Sequence, residues 1–194
     1  MTKTRLRVYR IAAMGIFAAL SIVLVYFIHF PIFPAVPFLE YDPADVPIII
    51  CAYLFGPLHG LVLTVVVSVV QGLTVSAQSG WIGILMHILA TGALVLAGSG
   101  LRLLLHTRKQ KTGAGLNAGV IDIISAFSGT VAMTVTMALW NMLFTPIFMG
   151  VTLDVVMPLM PFIVAFNLIK AALNSAVALV IYKLLPKRLL ERLS

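Results

Sequence analysis

The chain has 194 residues, of which 61% are hydrophobic and only 10% are charged, and its mean hydropathy is +1.12. A soluble domain averages about a quarter charged residues, so this composition excludes a soluble globular protein. We therefore expect one integral membrane domain over residues 1–194, with lipid as its main solvent and without a separate soluble domain.

The net charge of +7 suggests a nucleic-acid partner, but the positions of the basic residues exclude that class. Twelve of the 13 lysines and arginines flank apolar segments, as expected on the cytoplasmic side of a membrane. The lipid bilayer is therefore the expected partner of these charges. The three basic clusters are Lys3, Arg5, Arg7 and Arg10; Arg102, Arg108, Lys109 and Lys111; and Lys183, Lys187, Arg188 and Arg192.

Six apolar segments are predicted to be helices, because a transmembrane helix needs roughly 17–25 apolar residues. Four prolines forbid a regular helix in the first outer loop, 29–43. A basic connector, 106–115, and a second outer connector, 146–158, separate the later helices. The predicted helices are 8–28, 44–56, 58–76, 81–105, 117–145 and 159–184.

The second predicted helix is too short to cross a membrane alone unless it is tilted or surrounded by protein. With six crossings, all three basic clusters lie on one side, whereas five crossings would separate the two terminal clusters. The sequence therefore predicts an all-α membrane protein of six transmembrane helices, with both termini on the cytoplasmic side.

The last predicted helix carries three polar residues on one face, since Asn167, Lys170 and Asn174 are spaced i, i+3, i+7. At about 1.5 Å per residue, Lys170 lies roughly 16 Å into the span. Lys170 would be satisfied there by snorkelling, by a carboxylate or by a bound ligand. Because no carboxylate is expected at that depth, we favour a ligand.

Further polar residues come from the outer halves of other helices, namely Gln71, His87 and Asn141. A purely structural interpretation is that these residues form hydrogen bonds between helices. Together with aromatic residues of the outer loops, they predict a pocket for a planar heterocycle with an amide-like edge. Asp42 is interpreted as the N-cap of the second helix, with Asp45 in its first turn.

The first helix carries a stripe of small residues, Ala12, Gly15 and Ala19, which lets another helix approach closely. Packing within the chain and docking of a partner both explain the stripe. Cys51, the single cysteine, is expected to be a buried hydrophobe.

Four sequence segments resemble the substrate-binding S component of energy-coupling factor (ECF) vitamin transporters, most closely the riboflavin-specific type. They are FPIFPAVPFLEYDPADVP (30–47), LFGPLHG (54–60), FNLIKAALN (166–174) and, more loosely, AAMGIFAAL (12–20). The resemblance implies the S-component fold, with a vitamin bound near the outer face under a lid formed by the first outer loop.

The resemblance also implies roles for individual residues. The family's flavin-contacting residues match Asn141, Asn167 and Lys170, whereas His87 stands where the family often has Asn. The small-residue stripe matches the surface that meets the coupling protein. The expected ligand-binding set is Leu39, Tyr41, Asp45, Gln71, His87, Asn141, Asn167 and Lys170.

The function implied is a high-affinity riboflavin-binding subunit of an ATP-driven importer in a bacterial-type cell membrane. The resemblance implies two kinds of partner, an EcfT-like transmembrane coupling protein and two ATPase subunits. The sequence has no Walker loop, so any ATP hydrolysis is expected to take place on those partners. We expect no enzymatic activity, and no cofactor apart from riboflavin as the transported ligand. The four histidines lack metal-binding spacing, so no metal site is expected.

Other functions stay open. The chain would also suit an S component for another vitamin or for FMN. A stand-alone secondary transporter would need an intramembrane carboxylate relay, and Asp45 alone lies in the outer half of the predicted spans. An intramembrane enzyme and a purely structural membrane protein are weaker alternatives.

Overall fold

A computed structural model describes residues 3–113 and 115–186. Lys187, Arg188 and Arg192 of the predicted C-terminal basic cluster lie outside the described residues. The elements are α1 (Lys3–Phe27), β1 (Phe30–Pro31), β2 (Glu40–Tyr41), α2 (Asp45–Phe55), α3 (Pro57–Leu73), α4 (Gly80–Thr112), α5 (Ala118–Met149), α6 (Leu153–Val156) and α7 (Met160–Leu184). Short 3₁₀ turns, Ala77–Ser79 and Met157–Leu159, precede α4 and α7.

Helix α4 continues to Thr112, through most of the segment expected to be a connector. Lys109 and Lys111 lie in its last turn, where cations interact favourably with the helix dipole. Gly113 then ends the helix in the left-handed conformation, with φ of +66°. Helix α5 likewise extends past Pro146 and stops before Gly150, which also has positive φ.

Among the described residues, four helices are long and apolar enough to cross a membrane, namely α1, α4, α5 and α7. Helices α2 and α3 are also apolar but have 11 and 17 residues. Gly56, with φ of +97°, separates them, and Pro57 starts α3 at a position where its missing N–H costs nothing.

Helix α2 is the centre of the bundle, in contact with α1, α3, α4 and α7. Ten of its 11 residues are buried. Protein therefore covers this short helix on all sides, as its length requires in a bilayer.

Helix α1 is peripheral, in contact with α2 and α3. Its partly buried residues pack on the α2–α3 core, whereas Ala12, Gly15 and Ala19 are exposed. A side chain added at Gly15 would meet no atom within 4 Å. The small-residue stripe therefore does not pack against the part of the chain that the structure describes.

Residues 28–44 form a loop, here called the lid loop, that folds over the end of the bundle predicted to face outward. Strands β1 and β2 close it as an antiparallel pair, with Phe30 opposite Tyr41. Its middle is held by Val36, which is fully buried against Val156, Met160 and Ile163. The prolines thus exclude regular helix, as predicted, and apolar packing orders the loop.

Candidate ligand-binding site

A cavity of about 530 Å³ lies between the lid loop and the adjacent parts of α3, α4, α5 and α7. Sites for small ligands typically have roughly 300–1,000 Å³. Its apolar walls include Leu39, Met86, Met133, Met137 and Phe166. Its polar lining residues are His29, Glu40, Asp42, Ser68, Gln71, Ser76, Gln78, Ser79, His87, Asn167 and Lys170.

Lys170 lines this cavity and is only 6% exposed. Its Nζ donates to Asp42 Oδ2 at 2.7 Å, so the expectation that no carboxylate lies at this depth is wrong. The lid loop turns inward at its end and brings Asp42 onto α7, a path that helix periodicity does not reveal. The ammonium has three donors, and Asp42 is its one acceptor among the described residues.

Asp42 serves helix α2 as well as Lys170. Its Oδ1 accepts from the backbone N–H of Ala44 at 3.0 Å. Helix α2 begins at Asp45, so Ala44 occupies the cap position that the sequence assigned to Asp42. The carboxylate still satisfies an N–H at the helix start, and each of its oxygens therefore has its own donor.

Asp45 is fully buried and is not one of the residues that line the cavity. Its Oδ1 accepts from Thr91 Oγ1 at 2.7 Å and lies 3.3 Å from His87 Nε2. His87 does line the cavity, and its Nδ1 lies 2.8 Å from Ser68 Oγ. Asp45 therefore lies on the side of His87 away from the cavity and fixes the orientation of its ring.

Asn174 connects these groups through one amide. Its Nδ2 is 3.0 Å from the Asp42 carbonyl oxygen and 3.1 Å from Asp45 Oδ2. Its Oδ1 accepts from the Tyr41 hydroxyl at 3.1 Å. Partial burial and the neighbouring Asp42 carboxylate raise the pKa of the Tyr41 phenol, which therefore remains a neutral donor.

Two amides in the cavity wall have oxygens without a partner among the described residues. Asn167 Nδ2 donates to the Ile163 carbonyl at 2.8 Å, and its Oδ1 accepts no bond. Gln71 Nε2 lies 3.4 Å from Ser76 Oγ, and its buried Oε1 is unpaired. An unpaired buried acceptor is costly, so Gln71 Oε1 would gain from a new donor. Asn167 Oδ1 has its acceptor capacity free and is suited to a donor from a ligand.

Asn141 does not line the cavity. Its Nδ2 donates to the Met137 carbonyl and its Oδ1 accepts from Thr145 Oγ1, both at 2.7 Å. The predicted residues thus separate into three groups. Leu39, Gln71, His87, Asn167 and Lys170 line the cavity, Tyr41 and Asp45 lie behind its lining, and Asn141 faces its own helix.

Sequence reasoning missed Asp42, Ser68 and Thr91 as members of the site. Thr91 follows His87 by four residues and Ser68 precedes Gln71 by three, so helical spacing was an available signal for both. Asp42 had no such signal, because it lies in a loop and its capping role was sufficient to explain it.

A second polar cluster occupies the opposite end of α7. Arg102 Nε donates to Asp122 Oδ1 at 2.8 Å. The Arg102 guanidinium lies over the rings of Tyr53 and Tyr182, at 4.8 and 4.6 Å from their centroids. His106 and Lys183 approach Asp122 to 3.7 and 3.8 Å.

The family model of the ECF transporter substrate-specific component matches residues 9–182 of this chain. The protein belongs to this family. A solved S component of a bacterial ECF transporter has the same fold, with a TM-score of 0.74 and 23% identity over 94% of this chain and 98% of that one. No curated protein sequence matches the chain.

Family membership defines the general role of the protein. S components are transporter subunits rather than enzymes. They associate with a transmembrane coupling protein and with ATPase modules. The chain is therefore a substrate-specific subunit of an ECF transporter.

Proposed function

We propose that this S component binds riboflavin at the outer face of the cell membrane and delivers it to an ATP-driven importer. The observation that supports this most directly is the cavity, in which a fixed ammonium and an unpaired amide oxygen share one face of α7. The sequence resemblance to riboflavin-specific S components supports the same substrate.

The flavin ring system is flat and apolar on its faces, and its pyrimidine edge carries one N–H between two carbonyl groups. Lys170 has two N–H donors left for a carbonyl oxygen, and Asn167 Oδ1 can accept from the N–H. The ring faces would lie against Leu39, Met137 and Phe166. Such apolar walls with a few directed polar groups are typical of small-molecule sites.

The ribityl hydroxyl groups need a polar environment, and the cavity offers one at the start of α4. Ser76, Gln78 and Ser79 lie there, opposite Glu40 of the lid loop. Gln71 Oε1 lacks a donor, which a ribityl hydroxyl would supply. We therefore propose that the sugar chain points toward these residues.

Three residues of the predicted set would act indirectly. Tyr41 and Asp45 hold Asn174 and His87. Asn141 would act through Met137, whose carbonyl oxygen accepts from its amide. These residues would affect the shape of the cavity rather than touch the flavin.

The proposed membrane arrangement has six crossings, with both termini on the cytoplasmic side. Helix α2 would cross as a short helix covered by protein. The exposed stripe on α1 would meet the coupling protein, since small residues allow close helix approach. Two ATPase subunits would then supply the energy for release.

A stand-alone secondary transporter is the main alternative in mechanism. Asp42 and Asp45 are buried beside the cavity, so the expected shortage of carboxylates no longer counts against it. Both carboxylates already have partners among the described residues. Membership of the ECF family favours the ATP-dependent subunit.

The substrate is tested by a ligand screen on the purified protein, with quenching of tryptophan fluorescence as the readout. Riboflavin should bind more tightly than FMN, thiamine, folate or biotin. Asn167→Ala should weaken riboflavin binding by about 1–3 kcal/mol, the cost of an unsatisfied polar partner.

Asn117→Ala is the matched control, because Asn117 is exposed at the start of α5 and should leave affinity unchanged. If another vitamin binds tightly and riboflavin does not bind, riboflavin is not the substrate. Uptake into vesicles by the S component alone, driven by an ion gradient, would overturn the ATP-dependent mechanism.

A further inference from the structure

We infer that Asp42 is a positioning residue that fixes the ammonium of Lys170 for the ligand and attaches the lid loop to α7. This inference rests on the proposed function for the identity of the ligand. Its geometric part concerns only the described residues of this chain.

Two side chains of α7 bind Asp42 at once. Lys170 Nζ is 2.7 Å from Asp42 Oδ2, and Asn174 Nδ2 is 3.0 Å from the Asp42 carbonyl oxygen. Lys170 and Asn174 are four residues apart, so they occupy the same helix face one turn from each other. Asp42 is therefore held by its side chain and by its backbone, and it is only 4% exposed.

The segment that follows Asp42 is also fixed. Asp42 Oδ1 accepts from the Ala44 N–H at 3.0 Å, and the Ala44 carbonyl accepts from Ser21 Oγ of α1 at 2.8 Å. The carboxylate thus has a position set by α1, α2 and α7 together. It does not depend on a ligand.

Lysine needs such a fixed partner if it is to recognise a ligand. Its ammonium sits at the end of a flexible four-carbon stem and carries three rotatable donors. Asp42 is its one acceptor among the described residues. The ion pair therefore fixes Nζ at the cavity wall and leaves two donors for the carbonyl oxygens of a ligand.

The same ion pair determines where the lid loop lies. The loop contributes Pro37, Phe38, Leu39 and Glu40 to the cavity lining. Its middle is attached independently through the apolar cluster around Val36. Asp42 attaches the end of the loop to α7 through polar bonds. The loop residues that line the cavity therefore keep a fixed position relative to the ammonium of Lys170.

Asparagine cannot replace the aspartate in this arrangement. The two carboxylate oxygens of Asp42 accept from two separate donors, Ala44 N–H and Lys170 Nζ. An amide has one acceptor and one donor end. Asp42→Asn therefore loses one bond and also leaves the Lys170 charge without its counter-ion.

The test is a double-mutant cycle with riboflavin binding as the readout. Asp42→Asn should weaken binding by about tenfold to a hundredfold. In a Lys170→Met background the same change should have almost no further effect, because Asp42 acts through Lys170. Asp154→Asn is the matched control, since Asp154 is exposed in the other outer connector and should leave affinity unchanged.

If the fold-losses of affinity of the two single variants multiply in the double variant, Asp42 does not act through Lys170 and the positioning role is wrong. An Asp42→Asn protein that binds riboflavin as tightly as the parent would also contradict it. If Asp42→Asn fails to fold, the double variant replaces it, because it lacks both buried charges. A double variant that binds more weakly than Lys170→Met alone would also contradict the inference.

A ligand-free measurement separates this inference from the proposed function. In the empty protein, amide hydrogen exchange over residues 40–44 should be faster in Asp42→Asn than in the parent or in Asp154→Asn. If the parent protein does not bind riboflavin, the proposed substrate is wrong. The exchange rates would still show whether Asp42 attaches the lid loop to α7. Unchanged exchange over these residues would overturn the attachment.

Discussion

Two ion pairs lie at different levels along α7, Lys170–Asp42 and Arg102–Asp122, and their surroundings differ. Lys170 pairs with Asp42 beside the cavity and keeps two donors without a partner among the described residues. Near the C-terminal end of α7, Arg102 pairs with Asp122, and its guanidinium lies over the rings of Tyr53 and Tyr182.

The difference separates an ion pair that holds helices together from one that we propose to recognise a ligand. The Arg102 guanidinium lies over the rings of Tyr53 and Tyr182, which are side chains of α2 and α7, while Asp122 belongs to α5. That pair therefore joins four helices and has its strong interactions within the protein. The Lys170–Asp42 pair joins the lid loop to α7 and borders the cavity, which has a volume suited to a small ligand.

The largest expected effect is that of Lys170→Met, which should change both stability and binding. The loss leaves the buried Asp42 carboxylate without a counter-ion, at a cost of about 3–5 kcal/mol. Riboflavin affinity should fall as well, because the donor to its carbonyl group is removed. A thermal shift assay and a fluorescence titration measure the two effects, and unchanged affinity would place the ligand elsewhere.

Arg102→Met is the matched change in the other ion pair and should affect stability alone. We expect a loss of about 3 kcal/mol, at the lower end of the range for a broken buried pair. The loss is smaller because Lys183 and His106 remain within 4 Å of Asp122. Riboflavin affinity of the folded fraction should match the parent, so a large loss of affinity would mean that the two clusters are coupled.

The smallest expected effect comes from Gln71→Met, which should move stability and affinity in opposite directions. Removing a buried oxygen without a partner should stabilise the empty protein by about 1 kcal/mol. Riboflavin affinity should fall severalfold, because a ribityl hydroxyl loses its acceptor. Gln110→Met, at an exposed position of α4, should change neither quantity.

A fall in both stability and affinity in Gln71→Met would show that the Gln71 oxygen already has a partner in the empty protein. If Gln71→Met is more stable than the parent but binds riboflavin with the same affinity, Gln71 does not contact the ligand. Thermal shift and titration on the same samples distinguish these outcomes.

Local patterns in the sequence determined several features of this protein. Few charges and long apolar runs required lipid as the solvent, and the prolines of the first outer loop excluded a helix there. The spacing of Asn167, Lys170 and Asn174 required one polar face on α7, since that inference needs only the helical repeat. The motifs in the lid loop and α7 were sufficient to indicate the family.

Only the tertiary structure decided what these residues contact. Asp42 and Lys170 are 128 positions apart, and their ion pair depends on the path of the lid loop over the bundle. The orientation of Asn141 toward its own helix and the unpaired oxygen of Gln71 depend likewise on how neighbouring helices are rotated. Periodicity fixes which side chains share a face, but the distance between faces is set by packing across the whole chain.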